Sequence, residues 1–144
     1  VFILVAGGQL FSWVISFAKI PQMMTNAVLG ANPSATRILV TVTLFFFIAG
    51  MFVDSLVAII ILSPIFYPIA MLAGIDPIHL GIVITLQAAI ASVSPPFGCN
   101  IFTACAIFNR PYLDIVKGIQ PYLIMLLLTT IIVIFVPELS LFLL

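Results

Sequence analysis

Five stretches without a charged residue divide the chain, and each approaches or exceeds the length of a membrane span. They cover residues 1–18, 38–53, 55–75, 80–109 and 118–137. A helix that crosses a bilayer needs about 20 mostly apolar residues, whereas a membrane β-strand alternates apolar and polar positions. These stretches are continuously apolar, so the pattern predicts membrane helices. The first, over 1–19, ends at Lys19, whose long side chain can reach the headgroups.

A short segment follows the first predicted span. Pro21 suits the first position of a helix, and Gly30 suits the position after its end. Because the segment is short, the sequence predicts an interfacial helix and turn over 20–34. Ser34 is then the expected N-cap of the next helix.

The region 35–73 has two interpretations. The run 38–53 would be about 24 Å long as a helix, which is short for a hydrocarbon core of about 30 Å. One interpretation is two full spans with Asp54 in a solvated loop between them. The other is a re-entrant helical hairpin with its tip near 50–55, which requires a protein-lined environment at membrane depth. The short first arm and the compact tip favour the hairpin.

The run 80–109 would be about 45 Å long as one helix, which exceeds an ordinary span. Pro95 and Pro96 lie in its middle. Each proline lacks an N–H and clashes with the carbonyl four residues earlier, and each disfavours helical geometry in the preceding residue. The sequence therefore predicts a discontinuous transmembrane helix over 77–108, broken near 93–98.

The last segments are divided by a further proline. Asp114 and Lys117 stand at helical spacing, which predicts an interfacial helix over 111–120. Pro121 is expected to open or kink a C-terminal transmembrane helix over 121–137.

Composition narrows the class of protein. Hydrophobic residues make up 65% of the chain and charged residues 6%, against about 25% charged in an average soluble domain. A soluble domain is excluded, and a net charge of +0 excludes a nucleic-acid-binding protein. The predicted fold class is an all-α polytopic membrane protein. Since the sequence begins at Val1 and shows no signal peptide, we expect it to be the C-terminal piece of a longer protein.

Two places combine irregular backbone with apolar surroundings: the tip around Asp54 and the break at Pro95-Pro96. Membrane transporters build binding sites from such interruptions, where helix N-termini face anions and freed carbonyls coordinate cations. The carbonyls of Ala91 and Ser92 are expected to be free. The candidate binding residues are Gly50, Asp54, Ser55, Ser92, Ser94, Pro95, Pro96, Gly98 and Asn100.

Each of these features also has a purely structural interpretation. Asp54 would serve only as an N-cap if the tip is solvated, but a carboxylate at membrane depth costs several kcal/mol and then indicates function. The proline pair would be only a kink. His79 is interpreted as an interfacial histidine.

Basic residues lie only at the ends of the apolar runs, at Lys19, Arg37, Arg110 and Lys117. An anionic solute would therefore be balanced by helix dipoles and bound cations, with no buried arginine. This favours cation-coupled transport.

Several motifs carry a resemblance to a known family. They are GMFVD at 50–54, SPI at 63–65 with Pro68, GIDPIHLG at 74–81 and SPPFGCNIF at 94–102. In order and spacing they resemble the C-terminal repeat of the large membrane subunit (DctM-like permease) of tripartite ATP-independent periplasmic (TRAP) transporters. The resemblance covers nearly the whole chain.

The resemblance implies a fold and a site. The fold would be one half of an inverted repeat in an elevator-type ion transporter, in which the hairpin 35–73 faces the broken helix. Gly50, Asp54 and Ser55 would lie at the hairpin tip, and residues 94–100 at the link. The implied sodium ligands are Asp54, Ser94 and Gly98.

The resemblance also implies a function. The chain would belong to a non-enzymatic, sodium-coupled importer of an acidic organic solute, such as a C4-dicarboxylate or sialic acid, in the bacterial inner membrane. It would have no cofactor, with Na⁺ as the coupling ion. The implied partners are the remaining N-terminal part of the same permease, a small membrane subunit, a periplasmic substrate-binding protein and the lipid bilayer, with no nucleic acid.

Three other functions are compatible with parts of the pattern. An ion-coupled carrier of similar architecture would work without a binding protein, and a passive channel would conduct without coupled sodium. The third is an intramembrane enzyme. An aspartyl protease would need two membrane carboxylates, whereas Asp54 alone interrupts a long apolar run. A serine protease would need a serine with a base in the membrane, and His79 lies at a boundary.

Overall fold

A computed structural model describes residues 34–142 continuously, together with scattered positions between residues 3 and 23. Apart from those positions, the predicted span 1–19 and the predicted interfacial helix and turn over 20–34 lie outside the described residues. Within 34–142 the regular structure consists of helices, without strands. The helices are α1 (Ala35–Phe52), α2 (Ser55–Leu72), α3 (Pro77–Ser92), α4 (Cys99–Phe108), α5 (Tyr112–Phe135) and α6 (Glu138–Leu141).

Three of these helices, α1, α2 and α5, are long and apolar enough to cross a membrane. The shorter helices α3 and α4 are also apolar. Together with the composition, they confirm the predicted class of an all-α polytopic membrane protein.

The helices α1 and α2 form a helical hairpin. Ser34 begins α1 as its N-cap, and its hydroxyl accepts a hydrogen bond from the Arg37 N–H at 3.3 Å. The helix ends where Val53 adopts extended geometry, and Asp54 caps the start of α2. The turn at the tip therefore contains only two non-helical residues.

Helix α3 is the centre of the bundle, because it packs against α1, α2, α5 and α6. Its first turn is set by Asp76, whose Oδ1 accepts from Ile78 N at 2.8 Å and from His79 N at 3.3 Å. The apolar core is drawn from α1, α2, α3 and α5, and Phe46 and Phe66 are among its largest fully buried members.

Two side-chain hydrogen bonds join α3 to the C-terminal segments. Gln87 donates through Nε2 to Thr130 Oγ1 on α5 at 3.0 Å, and both residues are buried. At the start of α3, the buried His79 contacts the Ser140 hydroxyl on α6 through Nδ1.

The structure corrects the boundary expected at Pro121. The two segments 111–120 and 121–137 are replaced by one helix, α5, which runs through Pro121 from Tyr112 to Phe135. A single proline removes one backbone hydrogen bond, to the carbonyl of Lys117, and the turns on either side are long enough to continue the helix. Helix α2 contains Pro64 and Pro68 in the same way.

Candidate functional site

The hairpin tip rests directly on the last turn of α3. Gly50, buried in the last turn of α1, lies so close to Ala91 that a Cβ at Gly50 would collide with the Ala91 Cβ. Both residues lie near the C-terminal ends of their helices, so the ends of α1 and α3 meet at the tip. Only glycine allows this approach, and the tip position depends on it.

The second arm of the hairpin is held by a hydrogen bond. Ser55, the first residue of α2, donates its hydroxyl proton to the Ala88 carbonyl of α3 at 2.8 Å. Because Gly50 and Ser55 lie on opposite sides of the turn, both arms of the tip are attached to the same helix.

Asp54 lies at the point of the tip and is exposed. Its Oδ1 accepts the Leu56 N–H at 2.9 Å, so the side chain caps α2. The structural role considered from the sequence is therefore present. An ionised carboxylate has several acceptor positions on two oxygens, so the cap leaves the group able to bind a cation.

The link between α3 and α4 is compact around Ser94. This residue is fully buried, and its hydroxyl donates to the Ile90 carbonyl at 2.7 Å. The Ser94 carbonyl accepts from the Gly98 N–H at 3.0 Å. A Cβ at Gly98 would lie 2.7 Å from the Ser92 carbonyl oxygen and 2.8 Å from that of Ser94, so the link closes only with glycine.

One expected free carbonyl is already bonded. The Ala91 carbonyl accepts from Ser94 N at 3.1 Å, so that prediction is wrong. The turn after α3 supplies the donor that Pro95 lacks. The Gly98 carbonyl is likewise used, by the Ile101 N–H at 2.9 Å in the first turn of α4.

Asn100 connects the two halves of the interrupted helix. Its Nδ2 donates to the Ser92 hydroxyl at 3.1 Å, and that hydroxyl donates to the Ala89 carbonyl at 2.7 Å. A side chain of α4 is thereby bonded to the end of α3 across the link. Ser92 and Asn100 therefore form one hydrogen-bonded pair at the link, and Ser94 and Gly98 form another.

The tip and the link meet through two aromatic rings. The ring centroids of Phe52 on the tip and Phe97 on the link are 5.8 Å apart. On another side of the link, the Tyr112 hydroxyl of α5 donates to the Pro96 carbonyl at 3.1 Å.

The structure thus brings most of the predicted residues into two connected groups. Gly50 and Ser55 attach the tip to α3, while the link residues are bonded to one another. Asp54 is bonded within its own helix. Sequence reasoning missed Tyr112 and the pair Phe52–Phe97, since their contacts join residues that are far apart in the sequence.

The described part of the chain contains no group of three or more His, Cys, Asp or Glu side chains that could hold a metal. The oxygen atoms present are one carboxylate, hydroxyls and carbonyls, which is the donor set of a hard cation. The Ser94 hydroxyl donates a hydrogen bond to the Ile90 carbonyl, so the lone pairs of its oxygen are not used in that bond. The predicted sodium ligands Asp54, Ser94 and Gly98 fit this chemistry by type.

The chain matches a family model described as "Tripartite ATP-independent periplasmic transporter, DctM component" over residues 1–139. It is similar to several curated proteins. The ectoine TRAP transporter large permease protein TeaC of Halomonas elongata is 53% identical over 144 residues, covering 99% of this chain and 34% of that protein.

Two further relatives extend the range of identity. The ectoine/5-hydroxyectoine TRAP transporter large permease protein UehC of Ruegeria pomeroyi is 48% identical, with 99% of this chain and 33% of that protein covered. The C4-dicarboxylate TRAP transporter large permease protein DctM of Pseudomonas aeruginosa is 38% identical, with 96% of this chain and 32% of that protein covered. The chain spans about a third of the length of these relatives.

Proposed function

The chain belongs to the DctM component family of tripartite ATP-independent periplasmic transporters, and from this premise we propose that it carries part of the solute and ion site of a sodium-coupled importer. The family consists of transporters and not of enzymes, as the sequence predicts. Its members are multi-pass proteins of the inner membrane, and the apolar helices of this chain agree with that location.

The observation that carries the proposal is the attachment of the hairpin tip to the end of α3. Gly50 packs on Ala91 and Ser55 is bonded to Ala88, next to the link. Both interruptions of helical structure therefore belong to one region of the molecule. Irregular backbone between apolar helices is the arrangement from which transporters build their sites.

The backbone at this region supports recognition of an anionic group. The start of α2 is already capped by the Asp54 carboxylate, whereas α4 begins after Gly98 without a side-chain cap. The N-terminus of a helix carries partial positive charge and unpaired N–H groups, which favour a carboxylate.

Sodium ions supply the remaining positive charge in this proposal. No Lys or Arg occurs within the runs 38–53, 55–75 and 80–109. We place sodium near Asp54, Ser94 and Gly98, with Gly50, Ser55, Ser92, Pro95, Pro96 and Asn100 forming the surroundings. A bound cation would then offset the charge of the solute.

The relatives suggest an order of candidate solutes. The two at 53% and 48% identity are named for ectoine. The relative at 38% is named for C4-dicarboxylates, and one at 27% for sialic acid. We therefore propose ectoine as the first candidate and the acidic solutes, expected from the sequence, as the second.

The proposed assembly contains more than this chain. Its partners are the rest of the same permease, a small membrane subunit, a periplasmic substrate-binding protein that delivers the solute, and the lipid bilayer. A domain of this family is expected to bind no nucleic acid.

Uptake into proteoliposomes by the complete permease and its small subunit tests the proposal. Ectoine and a C4-dicarboxylate are each offered with an inward sodium or potassium gradient, with and without the binding protein. The proposal predicts uptake of one solute that requires both sodium and the binding protein. Sodium-driven uptake without the binding protein would favour the other type of carrier, and solute flux without coupled sodium would favour a channel.

A further inference from the structure

The bonds within the link do not reach the Pro96 carbonyl. Proline has no N–H, so the polar backbone atoms of Pro95 and Pro96 are their two carbonyl oxygens. Pro96 and the following Phe97 are exposed. A carbonyl in this position needs a donor from another part of the chain if its orientation is to be fixed.

Helix α5 provides that donor from its first residue. The Tyr112 hydroxyl donates to the Pro96 carbonyl at 3.1 Å. The Tyr112 ring also lies beside Phe102 of α4, with centroids 5.7 Å apart. The phenol is therefore positioned by α4 and bonded back to the link that precedes α4.

The same helix leaves a partly open space beside the link. A cavity of about 170 Å³ lies between the link and α5. It is lined by Val93, Pro95, Val116, Ile119, Gln120 and Leu123. Pro95 is therefore not packed against α5 on the side that lines this cavity.

We infer that Tyr112 is a positioning residue that fixes the Pro95-Pro96 link through its hydrogen bond to the Pro96 carbonyl. Without this bond the link has room to move towards the cavity, and the arrangement of Ser94 and Gly98 beside it becomes less defined. The consequence for transport rests on the proposed function, in which the link contributes to the sodium site.

The substitution Tyr112→Phe removes the hydroxyl and keeps the ring against Phe102. The matched control is Tyr122→Phe on the same helix, where the side chain is 65% exposed. Uptake by the complete permease is measured against sodium concentration. We expect the half-saturating sodium concentration to rise about two- to ten-fold in the Tyr112 variant, as for the loss of one hydrogen bond. The maximal uptake rate per folded molecule of the Tyr112 variant stays near the wild-type value. In the Tyr122 control, both the rate and the half-saturating sodium concentration stay near wild type.

A second measurement follows the link without using sodium. Hydrogen–deuterium exchange of the peptide that contains the Gly98 and Cys99 amides reports its opening, because the Gly98 N–H is bonded to the Ser94 carbonyl at 3.0 Å. We expect faster exchange there in Tyr112→Phe than in Tyr122→Phe.

The two measurements separate failure of this inference from failure of the proposed function. Equal exchange in both variants overturns the positioning role. Faster exchange with an unchanged sodium requirement, in a permease that needs sodium, overturns the connection to the ion site. If the wild type takes up solute without sodium, the proposed coupling fails, and exchange alone decides whether Tyr112 holds the link.

Discussion

The two interruptions of this fold, the hairpin tip and the link, are built differently. The turn at the tip contains two non-helical residues, and the Asp54 side chain caps the helix that follows it. The tip is held in place by its contacts with α3. The link is longer, contains two prolines, and is stabilised mainly by its own residues, because Ser94 and Gly98 bond each other and Asn100 bonds back to Ser92. The tip is therefore an ordinary turn whose position is set from outside, whereas most bonds of the link join its own residues and Tyr112 adds one from outside, to the Pro96 carbonyl.

This difference predicts that substitutions in the link reduce transport more than substitutions in the tip. Replacing Pro95 and Pro96 together with Ala restores two N–H donors and favours a continuous helix from α3 into α4. We expect transport to be abolished, although the protein still inserts. The matched control is Pro64→Ala in α2, a proline that its helix already accommodates. Normal uptake by the double variant would reduce the link to a passive kink.

The tip depends instead on one close approach. Gly50→Ala places a methyl group against Ala91, and overpacking of this kind costs about 1–3 kcal/mol. We expect uptake to fall at least ten-fold, with partial recovery when Ala91→Gly is added. Gly81→Ala on α3 is the control, because a Cβ there meets open space. Failure of the second substitution to restore uptake would argue against this contact as the cause.

The charge of Asp54 can be separated from its capping role. Asparagine is as good an N-cap as aspartate, so Asp54→Asn keeps the cap and removes the charge. We expect a several-fold higher half-saturating sodium concentration with little change in thermal stability. The control is Asp76→Asn, which makes the same change at the N-cap of α3. That N-cap lies at the end of α3 away from the hairpin tip. Unchanged sodium activation would remove Asp54 from the proposed site.

The smallest expected effect concerns Ser55. Ser55→Ala removes the hydrogen bond to the Ala88 carbonyl, which contributes about 0.5–1.5 kcal/mol. The tip is still held through Gly50, so we expect a two- to ten-fold decrease in apparent solute affinity and no loss of assembly. Ser63→Ala, on the same helix, serves as the control. An effect as large as that of Gly50→Ala would contradict the secondary role of this bond.

The sequence was most informative where chemistry is local. Two adjacent prolines cannot continue a regular helix, and the structure has its non-helical link at that place. The capping role of Asp54 and the cap at Asp76 followed from residue type and position. A lone proline is less decisive: Pro121 was expected to open or kink the last helix, and α5 does not begin there but continues through it.

Contacts between distant residues were not predictable from the sequence. Gly50 was selected as a ligand, and the structure gives it the additional role of allowing α1 to approach α3. The Ala91 carbonyl was expected to be free, but the turn that follows α3 brings Ser94 N to it. Tyr112 carries no local signal, because its role depends on how α5 returns to the link. The sodium ligands and the solute stay predictions.

The buried bond between Gln87 and Thr130 has a practical consequence for spectroscopy. It couples the centre of α3 to α5 by a polar contact inside the apolar bundle. The exposed face of α5 includes Tyr122 and Met125. A spin label or fluorophore on that face would therefore report displacements of α3 while leaving the hairpin tip and the link chemically untouched.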